Sequence, residues 1–287
     1  MVKELDTFFG DNRREIGIIT GKQTECIAVM LKRALIERGY RCRVFSKPPA
    51  FRTNQLFIVF TPQIFKNLPK YYCVYQVEQL TYDYVKTEHY YSLLENAIAI
   101  FDYSRVNYDI LKEDDSIGRK LFYLPFDIDR NELEESVYEN NKKYDVLFYG
   151  ATSSERRKKY FEVIREQYDI KIINDLLGKR LKSELRKARI IVNIHYKDNA
   201  ILESCRLCEV LSLGNSIVIS ETSIDKDLDE MFSPFVEFVP AADPRTMLVR
   251  IETVLKNEDR IPEIIQERKR AALNKESCFL SYISMYF

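Results

Sequence analysis

A glycine, three hydroxyl residues and a basic run follow one another at residues 150 to 159, in the sequence GATSSERRKK. The segment comes directly after an apolar run typical of a buried strand, so it is placed to begin a helix. Backbone N–H groups at a helix start favour an anion, and Ser153, Ser154, Arg156 and Arg157 can add donors and fixed charge. The pattern therefore predicts a phosphate site that starts at Gly150. A capped helix with a solvated basic face would give the same pattern, and both interpretations stay open.

A second polar cluster follows another apolar run. Asn193 ends that run, Asn199 lies in the polar segment after it, and a helix is predicted over residues 202 to 213. Glu203, Arg206 and Glu209 are spaced so that, at about 100° per residue, they project into an arc of roughly 120°. They can therefore face one ligand together. Alternatively, Arg206 pairs with the glutamates on either side in a structural row.

Three side chains at predicted strand ends are candidates for catalytic proton transfer: Glu78, Asp102 and His195. A carboxylate can accept the proton of an incoming hydroxyl. A histidine can exchange a proton near neutral pH, or it can simply hydrogen-bond a backbone carbonyl. The strand ends of the first half also carry the residues predicted to contact an acceptor: Thr20, Gly21, Gln76, Gln79 and Tyr103. Tyrosines crowd residues 71 to 91, where they would give a sugar a flat apolar face or form a packing layer.

The elements that position these residues alternate between strands and helices. Apolar runs at residues 16–19 and 42–45 enclose a helical stripe of Ile27, Met30, Leu31, Ala34 and Leu35, which predicts a βαβ unit. Further short runs lie at residues 56–60, 72–75, 97–101, 121–124, 145–149, 170–173, 190–194, 216–219 and 236–239. This alternation is typical of parallel sheets covered by helices. A last helical stretch is predicted to open near Pro262 and to run towards Phe287.

The polar segment at residues 132–143 divides these elements into two series. At 287 residues the chain is long enough for two modest cores. We therefore predict an α/β fold of two Rossmann-like domains facing a central cleft, an N-terminal domain at 1–140 and a C-terminal domain at 141–287. The C-terminal helix is free to cross back to the N-terminal domain.

Composition excludes several classes of function. Lys+Arg and Asp+Glu both number 44, so no net field would attract nucleic acid or an anionic membrane. No apolar stretch reaches the roughly 20 residues of a membrane span, and residues 1–12 lack an apolar core of signal-peptide length. We therefore expect a cytoplasmic location, which is the host cytoplasm if the protein is viral. No GxGxxG or Walker loop occurs, which disfavours dinucleotide oxidoreductases and P-loop kinases. The six cysteines are scattered, and the CxxC at Cys205 and Cys208 is best interpreted as helix packing.

Several of these features together resemble a known family. The strand before Gly150, the basic helix start, the segment from residue 190 to His195, and Glu203, Arg206, Glu209 and Gly214 look like the donor half of GT-B glycosyltransferases. The first half is similar to bacterial and viral enzymes of this kind through residues 75–79, 102–104 and 107 and a strand ending at Pro125.

The resemblance implies metal-independent transfer of a hexose or pentose from a nucleoside-diphosphate sugar to a glycan or another hydroxyl acceptor, with no further cofactor. It implies that Glu209 holds the donor ribose, and that the donor is bound by the following residues: Gly150, Ser153, Ser154, Arg157, Asn193, His195, Asn199, Glu203, Arg206 and Glu209. Retaining members often carry a glutamate eight positions before the ribose ligand, where this chain has Ile201. The alternatives are a nucleotide-sugar epimerase and a non-catalytic module that binds nucleotides or glycans.

Overall fold

The computed structural model describes residues 15–50 and 55–287, which divide into two compact units. Unit 1 comprises the chain up to Asp127 together with Ser277–Phe287. Its strands are β1 (Glu15–Ile19), β2 (Arg41–Phe45), β3 (Leu56–Phe60), β4 (Tyr72–Gln76), β5 (Ile100–Asp102) and β6 (Leu121–Tyr123). Its helices are α1 (Glu25–Glu37), α2 (Glu88–Glu95), α3 (Arg105–Leu111), α4 (Asp115–Gly118) and α12 (Cys278–Tyr286), with short 3₁₀ turns at Lys22–Thr24 and Pro62–Ile64.

The described strands of unit 1 form one parallel sheet in the order β2-β1-β3-β4-β5-β6. Strands β3 and β4 are buried along their whole length, as expected of central strands covered on both faces. The predicted βαβ unit is confirmed. Helix α1 buries its apolar stripe and ends at Glu37, with Arg38 as its C-cap, after which Gly39 takes the left-handed conformation (φ 85°) that lets the chain turn back into β2.

Helix α12 belongs to unit 1 although it lies at the far end of the sequence. The ring of Phe101 on β5 lies 5.9 Å from that of Tyr286 and 5.6 Å from that of Phe287. The Tyr40 hydroxyl donates to the Phe287 carbonyl (2.7 Å), and the Tyr286 hydroxyl donates to the Tyr123 carbonyl (2.9 Å). Through these contacts Tyr286 and Phe287 join the aromatic residues that pack in unit 1.

Unit 2 comprises Ile128–Glu276. Its strands are β7 (Tyr144–Tyr149), β8 (Ile170–Ile173), β9 (Ala188–Asn193), β10 (Ile217–Glu221) and β11 (Val236–Val239). Its helices are α5 (Arg130–Glu135), α6 (Glu155–Arg165), α7 (Gly178–Leu185), α8 (Ser204–Ser212), α9 (Lys226–Phe232), α10 (Pro244–Leu255) and α11 (Ile261–Asn274), with a 3₁₀ turn at Glu258–Arg260. The described strands form a parallel sheet in the order β11-β10-β9-β7-β8.

Both sheets therefore reverse their strand order beside their first strand, at β1/β3 in unit 1 and at β7/β9 in unit 2. In open α/β sheets, ligands bind outside the carboxyl ends of the strands at such a reversal. The predicted fold class of two Rossmann-like α/β units is confirmed at the level of each unit.

Two boundaries differ from the sequence analysis. The change of unit falls between Asp127 and Ile128 instead of between residues 140 and 141, because α5 packs against α8 and α11 of unit 2. The last helical stretch, predicted to run from near Pro262 towards Phe287, consists of two helices. It breaks after Asn274, and Ser277 caps α12 by accepting a hydrogen bond from the Leu280 N–H.

No helix among the described residues combines the length and the apolar character that a bilayer span needs. The prediction that residues 1–12 lack a signal-peptide core lies outside the described residues.

Candidate functional site

The predicted donor residues gather at the carboxyl edge of the unit 2 sheet, where its strand order reverses. Gly150 follows β7, Asn193 ends β9 and Glu221 ends β10. The amino end of α8 lies beside them, because Asn193 donates to the Glu203 carboxylate (3.2 Å) and accepts from Arg206 (2.8 Å). The fold thus brings together groups that are far apart in the sequence.

Glu221 is the central buried anion of this edge and is fully inaccessible to solvent. Its carboxylate accepts hydrogen bonds from both terminal nitrogens of Arg156, from the Tyr160 hydroxyl, from the His195 N–H (2.7 Å) and from the Ala242 N–H (2.8 Å). Burial alone would raise the pKa of Glu221, but the hydrogen bonds from Arg156, Tyr160 and the Ala242 N–H and the charge of His195 lower it. Glu221 therefore stays ionised and holds three loops in place.

Glu203 and His195 form a second pair, in which His195 is buried and Glu203 is partly exposed. The His195 Nδ1 lies 2.6 Å from the Glu203 carboxylate and its Nε2 lies 3.1 Å from the Thr222 carbonyl. Burial lowers the pKa of His195, but the Glu203 charge outweighs burial and raises that pKa above its usual value. The pKa of Glu203 is pushed well below its usual range, since His195, Arg206 and Arg157 outweigh its burial. Both ring nitrogens of His195 thus face acceptors, which favours an imidazolium with a structural role over proton exchange.

Arg157 and Ser154 lie behind the loop that begins at Gly150. Arg157 is 2% exposed and donates to the carbonyls of Ile194 (2.9 Å) and Ala151 (2.8 Å), with Glu203 at 3.4 Å. Burial and the nearby Arg206 charge lower the pKa of Arg157 to about 10, so it stays protonated at neutral pH. Ser154 caps α6 by accepting from the Arg157 N–H (3.3 Å). These contacts give both residues a positioning role and favour the capped-helix interpretation at this point.

Arg206 has a different environment. Its Nη1 donates to Asn193 (2.8 Å), and within the described residues Arg206 forms no ion pair with a carboxylate. The alternative in which Arg206 pairs with Glu203 and Glu209 in a structural row is therefore not formed. A Cβ on Gly150 would lie 2.8 Å from the Arg206 Nη2, and the backbone of Gly150 has φ 130°. Only glycine therefore fits beside this guanidinium without displacing it.

Glu209 lies one turn further along α8. Its carboxylate accepts from the Tyr149 hydroxyl (3.3 Å), and burial raises its pKa above the usual value despite the nearby Lys182. Ser153 exchanges a hydrogen bond with the Tyr196 hydroxyl (3.0 Å). Asn199 is exposed at a left-handed position (φ 54°), a conformation that asparagine tolerates well.

The carboxyl edge of the unit 1 sheet is held by Asp102, which is fully buried. Its carboxylate accepts from the Gln76 amide (2.7 Å), the Ser104 N–H (2.9 Å) and the Asn107 amide (3.3 Å). These bonds tie the loops after β4 and β5 together. Because these hydrogen bonds already occupy the Asp102 carboxylate, the geometry favours a positioning role for Asp102 over the predicted role of proton acceptor.

Glu78 is the carboxylate of this edge that keeps partial exposure. Its Oε1 accepts from the Gln63 amide (2.6 Å), and burial raises its pKa, with the Gln63 hydrogen bond opposing that shift. A carboxylate with a raised pKa and a neutral partner is a suitable proton acceptor. Of the three predicted catalytic residues, Glu78 has the environment that fits the role.

The predicted acceptor contacts divide into two groups. Thr20, Gln76 and Tyr103 are buried: Thr20 bonds Thr24 (2.8 Å), Gln76 bonds Asp102, and the Tyr103 ring stacks on Phe126. Gly21 and Gln79 are partly exposed. The buried three support the edge from behind, and only the second group reaches solvent.

The sequence analysis did not identify two residues of these edges as site members. They are Glu221 and Gln63. A charged residue that ends an apolar strand, as Glu221 does in IVISE, was the available signal. Gln63 gave none, because its importance comes from the turn after β3 that brings it to Glu78.

Comparison with known proteins identifies the fold. The family model described as "Glycosyl transferase-like" matches residues 130–278. The protein named "Uncharacterized protein L140" of Acanthamoeba polyphaga mimivirus is 26% identical over 161 residues, covering 53% of this chain. The alignment covers 51% of that relative, so the chain spans about half of its length.

Two solved structures match nearly the whole chain. An alpha-glucosyltransferase in complex with UDP-glucose and DNA containing an abasic site has a TM-score of 0.63 at 9% identity, covering 95% of this chain and 98% of that one. The T4 phage BGT in complex with UDP and Mn2+ has a TM-score of 0.58 at 12% identity, covering 94% and 99% respectively. These matches confirm the predicted GT-B fold.

Proposed function

The chain belongs to the glycosyl transferase-like family, and from that premise we propose that it moves a sugar from a nucleoside-diphosphate sugar to the hydroxyl of a sugar acceptor. Two structurally similar proteins were solved with UDP or UDP-glucose, which supports a uridine donor. Membership of this family identifies the chain as a glycosyltransferase. We propose in addition the residues that contact the donor, the nucleotide base of the donor and the class of acceptor.

The position of Arg206 is the observation that carries the donor site. It places a guanidinium without a carboxylate partner among the described residues at the strand reversal, beside Gly150. The other cations of this edge, Arg156, Arg157 and His195, already face Glu221 or Glu203. Among the described residues of this edge, Arg206 is thus the cation left for an incoming diphosphate, whose charge increases as the sugar leaves.

Glu209 fits the ribose of the same donor. It follows Arg206 by three positions on α8, so both side chains project from the same side of the helix. A carboxylate accepts hydrogen bonds from two ribose hydroxyls, and Tyr149 steadies it. His195, Glu203, Asn193, Ser153, Ser154 and Arg157 are proposed to shape this surface from beneath.

We propose that the diphosphate is held without a divalent cation. One similar protein was solved with Mn2+, so the question needs a chemical argument. A cation between protein and diphosphate needs carboxylate oxygens to spare, and the carboxylates of Glu203 and Glu221 each face positive groups. Within residues 15–50 and 55–287 no group of three or more His, Cys, Asp or Glu side chains is arranged to bind a metal.

For the chemical step, Glu78 is proposed to accept the proton of the acceptor hydroxyl. The oxygen then forms its bond to the anomeric carbon while the bond from that carbon to the diphosphate breaks. The electron pair of the broken bond leaves with the diphosphate, next to Arg206.

Binding of UDP to the full chain, measured by titration calorimetry, tests the donor site. Arg206→Gln is expected to weaken UDP binding by roughly ten- to a hundredfold, since a charge-assisted hydrogen bond is lost. Gly150→Ala is expected to weaken it by roughly tenfold, because the added methyl group displaces the same guanidinium. Arg245→Gln, which alters an exposed arginine of unit 2, is the matched control and should bind UDP like wild type.

Equal UDP affinity in wild type and Arg206→Gln would refute the donor site. Repeating the titration with EDTA and with Mn2+ tests the cation-free site, and a UDP affinity that depends on Mn2+ would overturn it.

Turnover separates the proposal from its alternatives. UDP-sugars incubated with methyl glycosides should yield a disaccharide and UDP. An altered UDP-sugar without transfer would indicate an epimerase, and binding without turnover would indicate a non-catalytic module. A hydroxymethylated DNA duplex belongs in the panel because one similar protein was solved with DNA, and transfer to DNA alone would replace the sugar acceptor.

A further inference from the structure

The carboxyl edge of the unit 1 sheet contains a group of buried polar atoms that have no hydrogen-bond partner among the described residues. They are Gln63 Oε1, Thr81 Oγ1 and the Tyr90 hydroxyl. Buried polar atoms are nearly always satisfied, so several such atoms in one region indicate a missing partner. Gln63 bonds Glu78 directly and Thr81 follows it in the same loop.

Gln63 is held in place by a strained turn. Thr61, the residue after β3, has φ 48°, which a β-branched side chain rarely adopts. The 3₁₀ turn Pro62–Ile64 follows at once and brings the Gln63 amide to Glu78. Strain of this kind persists where surrounding structure enforces it and is concentrated at functional sites. The amide donates to Glu78 through its nitrogen, which leaves its oxygen to accept from another group.

Tyr90 reaches the same region from α2. The residue is 2% exposed and packs in the unit 1 core, while its hydroxyl lies within electrostatic range of the Glu78 and Asp102 carboxylates. A phenylalanine would satisfy the packing alone. The Tyr90 hydroxyl therefore needs a hydrogen-bond partner, and the described residues do not supply one.

An exposed aromatic surface lies in the loop that follows Glu78. The rings of Tyr82 and Tyr84 are stacked with centroids 5.7 Å apart and planes at 13°, and Tyr84 is 63% exposed. Ile64, next to Gln63, is 57% exposed. A sugar ring has an apolar C–H face and a rim of hydroxyls, so it matches a tyrosine face beside hydrogen-bonding groups.

We propose that this region of unit 1 is a sugar-acceptor subsite, in which the ring lies against Tyr84 while Gln63 Oε1 and the Tyr90 hydroxyl bind its hydroxyls and so position one of them at Glu78. The inference rests on the proposed function and names its acceptor. Gln63 and Tyr90 are positioning residues, and Tyr84 determines specificity for a ring with an apolar face.

A stability comparison distinguishes this role from simple packing. Tyr90→Phe removes a hydroxyl that has no described partner, so its melting temperature should equal or exceed that of wild type. Tyr72→Phe is the matched control, because the Tyr72 hydroxyl donates to the Leu93 carbonyl (2.8 Å) and its loss should lower the melting temperature.

Binding of a panel of methyl glycopyranosides, measured by saturation-transfer NMR with UDP present, is the direct test. At least one glycoside should bind wild type, and its affinity should fall roughly two- to tenfold in Tyr90→Phe and roughly three- to tenfold in Tyr84→Ala. Tyr72→Phe should bind it like wild type. In Gln63→Leu the pH at which the transfer rate falls on the acidic side of its pH profile should also move upward, because Glu78 loses the hydrogen-bond donor that lowers its pKa.

If no glycoside binds, or if Tyr90→Phe and Tyr84→Ala bind it like wild type, the subsite is refuted. The UDP titration of the same proteins tells the two failures apart. Normal UDP binding without glycoside binding refutes the subsite alone, while loss of both in wild type refutes the proposed function.

Discussion

The two units have sheets that reverse their strand order in the same way, and both hold carboxylates at the carboxyl edge of the sheet, yet the electrostatics of these carboxylates differ. In unit 2, Glu221 and Glu203 face Arg156, Arg157 and His195, and both carboxylates have lowered pKa values. In unit 1, Glu78 faces the neutral amide of Gln63 and has a raised pKa.

The difference shows that the partner, more than burial, decides what a buried carboxylate can do. Burial disfavours the charged form in both units. A guanidinium or imidazolium outweighs that cost and gives a fixed anion that holds loops together. An amide only reduces the cost, so the carboxylate keeps its ability to take up a proton. Unit 2 is thus suited to hold a charged leaving group and unit 1 to accept a proton.

The largest expected effect comes from removing the titratable carboxylate of unit 1. Glu78→Gln should lower kcat for transfer by roughly two to four orders of magnitude, because general-base catalysis contributes about that much. UDP affinity should stay the same, since the donor contacts lie in unit 2. Steady-state kinetics with a UDP-sugar and a methyl glycoside measure the effect.

Glu88→Gln, an exposed glutamate in the first turn of α2, is the control for this change. In wild type the rate should fall as the pH drops through the raised pKa of Glu78. If kcat of Glu78→Gln lay within a few-fold of the wild-type value, Glu78 would not be the proton acceptor. The proposed difference between the sheet edges of unit 1 and unit 2 would then be wrong.

The next effect concerns the fixed anion of unit 2. Glu221→Gln should lower the free energy of unfolding by roughly 3–5 kcal/mol, because it leaves the buried side of Arg156 without its counter-charge. Asp102→Asn, the equivalent change in unit 1, should cost only about 1–3 kcal/mol, since it disturbs hydrogen bonds to neutral groups. Urea denaturation measures both changes.

Equal losses of unfolding free energy at Glu221 and Asp102 would contradict the distinction between the two units. The control is Glu166→Gln, which removes an exposed partner of Arg245 and should cost less than about 1 kcal/mol.

The smallest effect is a pH dependence of stability. The folded pKa of His195 lies above 6.5, so its pairing with Glu203 stabilises the fold fully below pH 6.5 and is lost as the pH rises through the folded pKa. Glu221 and Arg156 also face His195, through its N–H and carbonyl groups, and keep their charges across this range. Thermal unfolding from pH 6 upward, compared between wild type and His195→Gln, isolates the contribution. An identical slope in both proteins would show that His195 is neutral in the fold.

Much of the fold follows from local patterns in the sequence. The apolar run at residues 56–60 corresponds to β3 residue for residue, because buried parallel strands are short continuous apolar segments. The spacing on α8 placed Arg206 and Glu209 on one side of the helix, which depends only on helical periodicity.

The contacts within the sites could not be predicted in this way. Arg156 and Arg157 are neighbours in sequence and similar in chemistry, yet one pairs with Glu221 and the other supports Ile194 and Ala151. Their partners come from loops after other strands, so the choice depends on side-chain packing across the sheet edge. Asp102 and Glu78 were equivalent candidates for the same reason, and contacts such as the Gln76 and Asn107 amides on Asp102 distinguish them.

The return of α12 to unit 1 has a consequence for biogenesis. Unit 1 is built from two stretches of chain that are separated by the whole of unit 2. During translation the ribosome therefore makes the whole of unit 2 before it makes Tyr286 and Phe287, so the packing of these rings on Phe101 must await the synthesis of unit 2.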